Sequence, residues 1–139
     1  MTEAALLLTL VEAEHAAVYG YGVLGARLDL AARRAAITAY DAHRARRDGV
    51  VAALTARQIV LPTPPAAYEV SARGRGEALA LAIRLEEGLA LRWRDLVGGT
   101  DAPELRRLGV SALQECAVRA AQWRRLAGII PVSVPLPGA

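Results

Sequence analysis

The sequence predicts an all-α protein, an antiparallel four-helix bundle with one long crossover between the second and third helices. Three observations carry this expectation. Apolar residues recur at alternating spacings of three and four along four stretches, the period of one face of a helix. Hydrophobic residues make up 54% of the 139, enough for a single domain to bury a proper core. A proline-rich break then divides the four stretches into two pairs. Helices are expected at about residues 3–28, 30–58, 72–97 and 102–127, with the crossover at about 59–71 and an extended tail over about 129–139.

The first stretch carries Leu7, Leu10, Glu14, Ala17, Tyr21, Leu24 and Leu28 on one stripe. A charge at Glu14, in the middle of that stripe, is costly unless another group answers it. His15 lies one step to the side, beside Val11 and Val18. Gly20, Gly22 and Gly25 weaken the helix, which is explained if they let a neighbouring helix come close. Asp29 is a candidate N-cap for the second helix, whose stripe reads Ala36, Tyr40, His43, Arg47, Val50 and Leu54. The spacing turns Arg47 inward and leaves Arg44 and Arg46 as surface charges.

Pro62, Pro64 and Pro65 exclude helix across most of the next segment. A helix of about 25 residues is roughly 37 Å long, and about 15 extended residues cover roughly 50 Å, so this loop can travel the length of the bundle. The second and third helices then run parallel. The third stripe is Leu79, Ala82, Glu86, Leu89, Trp93 and Leu96, again with a glutamate at its middle, and Gly98-Gly99 suits its end. Asp101 and Glu104 around Pro103 form a candidate capping box for the fourth helix. Its apolar face runs through Leu105, Leu108, Ala112, Cys116, Ala120 and Trp123, with Glu115 and Arg119 at the edge.

Charge and cysteine content narrow the function classes. The formal net charge is +3, but all 17 basic residues are arginine, with no Lys, Asn or Phe. Those three residues share AT-rich codons, so the arginine bias reflects a GC-rich genome. The arginines are also scattered without aromatic interleaving, so nucleic acid is not an expected partner. No apolar run is long enough to span a bilayer and no secretory leader pattern is present, so a cytoplasmic protein without a membrane partner is expected. Cys116, the single cysteine, falls on an apolar face and reads as a small buried hydrophobe.

The four helix midpoints fall near residues 16, 44, 86 and 115. Glu14, His43, Glu86 and Glu115 each lie within about two residues, roughly 3 Å, of their own midpoint. Midpoints share one level whichever way helices point, so one polar layer is expected, supplemented by Tyr40, Arg47 and Arg119.

The segments Val11-Glu12-Ala13-Glu14-His15-Ala16-Ala17-Val18-Tyr19, His43-Arg44-Ala45-Arg46-Arg47-Asp48, the proline loop before Tyr68, and Val118-Arg119-Ala120-Ala121-Gln122-Trp123 together resemble the ferritin-like superfamily. The chain is similar in particular to a small actinobacterial branch of ferritin-like domains without an established function. In metal-loaded members two helices give one Glu each and two give Glu-x-x-His. The resemblance implies that Glu14 and Glu86 stand at the single-glutamate positions. The other two helices depart from it, reading Tyr40-Asp41-Ala42-His43 and Glu115-Cys116-Ala117-Val118. Two of six ligands are missing, and Arg47 and Arg119 bring positive charge to the place of the cations. The expectation is a non-enzymatic scaffold or partner-binding protein without a cofactor, a homodimer through its small-residue helix face. The alternative is a metal-dependent oxidoreductase holding iron or manganese on Glu14, His43, Glu86 and Glu115, helped by His15.

Overall fold

The computed structural model describes residues 1–138 and contains, among them, four helices and no strand: α1 (Glu3–Gly25), α2 (Leu30–Ala56), α3 (Arg75–Gly99) and α4 (Pro103–Ala127). No helix among the described residues is long and apolar enough to cross a membrane. Contacts between helices set their directions. Glu3 at the start of α1 meets Arg57 just after α2 and Thr100 just after α3, so α1 is antiparallel to both. Consequently α2 and α3 are parallel. The connection between them leaves the Glu3 end, passes over α1, where Pro64, Pro65 and Tyr68 lie against His15 and Tyr19, and reaches the far end at Ala72. There the Ala72 carbonyl accepts from Arg27 Nε at 3.0 Å.

Helix ends follow local hydrogen bonding. Thr2 caps α1 by accepting from the Ala5 N–H, and Asp29 caps α2 by accepting from the Ala32 N–H at 3.0 Å. α1 stops at Gly25 rather than Leu28 because the Arg27 and Leu28 N–H groups turn back to the carbonyls of Leu24 and Gly25, and the chain must be extended at the Asp29 cap. α3 starts three residues later than expected. Glu77 reaches back to accept from the Arg73 N–H at 2.8 Å, which holds Arg73 just ahead of the first turn. The expected capping box at Asp101 does not form. Ala102 is the N-cap of α4, and the Ala102 N–H donates instead to Thr100 Oγ1 at 3.1 Å. α4 ends at Gly128, whose φ of 71° is the left-handed conformation that glycine adopts without strain.

The core is divided in two along the bundle. Leu7, Leu10, Val50, Leu54, Leu89 and Leu96 pack at the Glu3 end. Leu24, Leu28, Ala32, Ala36, Leu79 and Ala82 pack at the other. Each fully buried leucine contributes about 1.5–3 kcal/mol relative to exposure. Close approach of helices depends on small residues at particular points. A Cβ on Gly109 would meet Val97 Cγ2 of α3 at 2.7 Å, and one on Gly20 would meet Leu85 Cδ1 at 2.7 Å. Gly25 packs against Ala36, whereas a Cβ on Gly22 would meet nothing within 4 Å. The described part of the tail folds back along α3 and α4, where Gly138 lies so near the Ala90 carbonyl that a Cβ would approach it to 2.8 Å.

Candidate functional site

Between the two apolar clusters lies a layer of charge. Glu14 of α1, His43 of α2 and Glu86 of α3 are each 0% exposed. Each occupies the inward stripe of its helix, because i, i+3 and i+4 positions share one face. His43 bridges the two carboxylates: Nδ1 lies 2.8 Å from Glu14 Oε2 and Nε2 lies 2.9 Å from Glu86 Oε1. A carboxylate oxygen only accepts, so both ring nitrogens donate and the ring is an imidazolium. Burial alone would drive the imidazole toward its neutral form. The hydrogen bonds to Glu14 and Glu86 outweigh that effect and raise its pKa from 6.5 to about 9.

Three further donors complete the layer. Trp93 Nε1 donates to Glu14 Oε1 at 3.0 Å. Tyr21 Oη donates to Glu86 Oε1 at 2.6 Å and itself accepts from Trp123 Nε1 at 2.8 Å. Arg119 Nε of α4, whose side chain is 15% exposed, donates to the same Glu86 oxygen at 2.9 Å. Burial opposes ionisation of Glu86, but the His43 hydrogen bond and then the charges of His43 and Arg119 hold its carboxyl below the ordinary range. Two carboxylates therefore face one imidazolium and one guanidinium, and the buried charges balance. Glu86 is asymmetric within this arrangement: Oε1 receives three donors, whereas Oε2 is buried without a hydrogen-bond partner. Burial, and then the nearby Glu86 charge, push the Cys116 thiol well above its ordinary pKa. It is not poised as a nucleophile.

Three expected members of the layer lie elsewhere. Arg47 turns toward its neighbour Asp48, with Nη2 2.9 Å from Oδ1, and meets neither Glu14 nor Glu86. The long side chain reaches a carboxylate at the surface, which avoids burying a second guanidinium. Glu115, 42% exposed, is held outside by Arg46, whose Nε lies 3.2 Å from Oε2. Arg46 is therefore a bridge between α2 and α4 rather than a free surface charge. Tyr40 is half-buried on the outer side, with the Arg44 guanidinium 5.6 Å from its ring centroid. His15 is likewise half-buried on the outer face of α1, and burial, then the Arg47 charge, lower its pKa below 6.5. Conversely, the sequence pattern places Tyr21, Trp93 and Trp123 only as apolar stripe members. The available signal was their polar tips, since a buried Tyr or Trp requires a partner and all three lie two turns or so from a buried or edge carboxylate.

The donor set does not fit a dinuclear metal centre. An imidazolium that donates through both nitrogens has no lone pair for a cation, and Arg119 already answers the Glu86 charge. The Glu115 carboxylate, 42% exposed, is engaged by Arg46 and, at 3.9 Å, by Arg119 Nη1, not by the buried carboxylates and imidazole.

A helical bundle whose middle is closed by a charge-balanced, hydrogen-bonded layer is the class that fold and site define. The chain belongs to the family described as a domain of unknown function, DUF4439, which matches residues 6–139. It is similar to the crystal structure of a conserved hypothetical protein, rv2844, from Mycobacterium tuberculosis, with 32% identity and a TM-score of 0.85 over 89% of this chain and 96% of that one. No curated protein matches it.

Proposed function

We propose that this protein is a non-enzymatic scaffold or partner-binding bundle of ferritin-like type, in which ion pairs and hydrogen bonds replace a metal layer. The observation that carries this is His43, fixed as a cation between Glu14 and Glu86 with both ring nitrogens donating. A cation supplied by the chain does there what a bound metal would otherwise do, which is to hold inward carboxylates together. The proposal includes no resident cofactor. It also includes a homodimer formed through the outer face of α1 at Gly22, the glycine of that helix whose absent side chain leaves open space.

Metal analysis of protein purified without chelator, paired with melting curves in Fe²⁺ or Mn²⁺, tests the layer. The expected result is less than stoichiometric metal and an unchanged melting temperature. A rise of several degrees with stoichiometric metal, lost in Glu14→Gln, would favour the oxidoreductase reading with iron or manganese on Glu14, His43, Glu86 and Glu115.

A further inference from the structure

One face of the bundle is left open where α1 packs on α2. Gly22, Gly25 and Ala26 of α1 with Ala36, Ile37 and Tyr40 of α2 border a hollow of about 450 Å³, exposed to solvent. Small residues make the space: a Cβ on Gly22 would meet nothing within 4 Å. Arg33 also borders it, but its guanidinium is tied to the Gly25 and Leu28 carbonyls at 3.1 and 3.2 Å. Ile37 stands at the rim, 55% exposed, beside a recess that its own chain does not fill.

Ile37 belongs to a stripe of exposed residues on α2. Leu30, Arg34, Ile37, Asp41 and Arg44 recur at spacings of four, three, four and three, so they share one face of the helix. Arg34 forms no ion pair among the described residues. Asp41 has Arg44 at 3.8 Å, with both side chains more than half exposed. Opposite charges therefore flank Ile37, Arg34 about 4.5 Å before it and Asp41 about 6 Å after it along the helix axis.

A surface of this pattern is complementary to itself. A copy turned by 180° about an axis between Ile37 and the hollow places each Ile37 in the other's hollow, the isologous contact of a two-fold dimer. The same rotation runs the two α2 helices antiparallel. Arg34 then comes opposite the partner's Asp41, and Leu30 opposite the aliphatic stem of the partner's Arg44, each contact formed twice. An unrelated protein would need only a projection or only a recess here. Nothing would then require the two signs to stand at matching distances on either side of Ile37.

We infer, resting on the homodimer reading of the α1 face, that this surface binds a second copy of the chain in that register, with Ile37 in the Gly22–Gly25 hollow and Arg34 paired with the partner's Asp41. Sedimentation equilibrium of the whole protein tests it. Arg34→Glu and Asp41→Arg should each weaken self-association by at least about tenfold, because two like-charge contacts replace two ion pairs. An equimolar mixture of these two variants should recover the dimer to within about threefold, since the altered charge of each chain meets its opposite on the other. Ile37→Asp should leave a monomer at micromolar concentration, with helix content by circular dichroism unchanged because the side chain is at the surface. A dimer that withstands Ile37→Asp and both charge reversals, yet dissociates in Gly22→Leu, overturns the register and leaves the α1 interface standing. Failure of the mixed variants to associate overturns the register as well. A monomer of the unaltered protein at all concentrations removes the register and the homodimer reading together.

Discussion

Raising the pH tests the His43 bridge without changing the sequence. The imidazole titrates at about 9 in the folded protein, against 6.5 where it is unperturbed. A group whose folded pKa is the higher one contributes its full stability below the unfolded value and loses it as pH rises through the folded value. At 1.36 kcal/mol per unit, the whole difference is on the order of 3 kcal/mol, of which about 2 kcal/mol is lost between pH 6 and pH 8. Glu86 acts in the opposite sense. Its pKa is lowered from 4.5, so its contribution is present above that value and lost as pH falls below it. Maximum stability is therefore expected between about pH 4.5 and 6.5. His15, with its lowered pKa, opposes the trend only below 6.5, and the buried Cys116 adds a decline only near the ordinary thiol range and above. The clean window is pH 6.5–8. Urea unfolding across that window, followed by circular dichroism, should show the fall. Proton NMR should give one histidine titrating near 9 and the other below 6.5, and the chain contains only two. Stability flat or rising from pH 6.5 to 8, with both rings titrating below 7, would refute the imidazolium bridge.

Four further outcomes are expected. Arg119→Met should destabilise the fold by on the order of 3 kcal/mol in urea unfolding, because Glu86 loses an answering charge, while Arg119→Met with Glu86→Gln should recover part of it by leaving His43 and Glu14 balanced. Arg47→Met, in contrast, should change stability by no more than about 0.5 kcal/mol, since its partner is at the surface. Trp93→Phe should cost about 1–3 kcal/mol by the same measurement, since it leaves Glu14 Oε1 without its donor. Light scattering should report a dimer at micromolar concentration that Gly22→Leu shifts toward monomer, and a monomer at all concentrations would remove that interface.

Helical period alone places Glu14, His43 and Glu86 inward, and the structure brings these three into hydrogen-bond contact. Their charges sit on stripes that are otherwise apolar, so the pattern is unambiguous. Glu115 and Arg47 show where such reasoning stops. Arg47 is on a stripe and Glu115 at the edge of one, but a long side chain can turn either way, and the partner decides: the adjacent Asp48 for Arg47, and Arg46 of another helix for Glu115. Arg46 meets Glu115 across 69 residues of sequence, a pairing that no local period encodes. The neutral donors to Glu86 and Glu14 are hidden for a different reason. Tyr21 and Trp93 have large apolar bodies, so a hydropathy pattern counts them as core and passes over the hydroxyl and the indole N–H. The crossover was legible because its length, compared with that of a helix, leaves few ways to connect the two pairs.

That crossover also bears on how the chain folds. Because it carries the chain the length of the bundle, α1 pairs with α2, and α3 with α4, through short connections, while contacts between the two pairs span the long loop. Each pair carries its own share of the buried charge: Glu14 with His43 in one, Glu86 with Arg119 in the other. Within the layer each hairpin is thus matched, and the pair formed only on docking, Arg46 of α2 with Glu115 of α4, is complementary, so docking buries no net charge. Local hairpins form faster than contacts separated by a long loop, so docking is expected to be the slow step of assembly. A chain cut within residues 59–71 keeps both hairpins whole, so its two fragments are expected to recombine into the same bundle, at a rate that rises with their concentration.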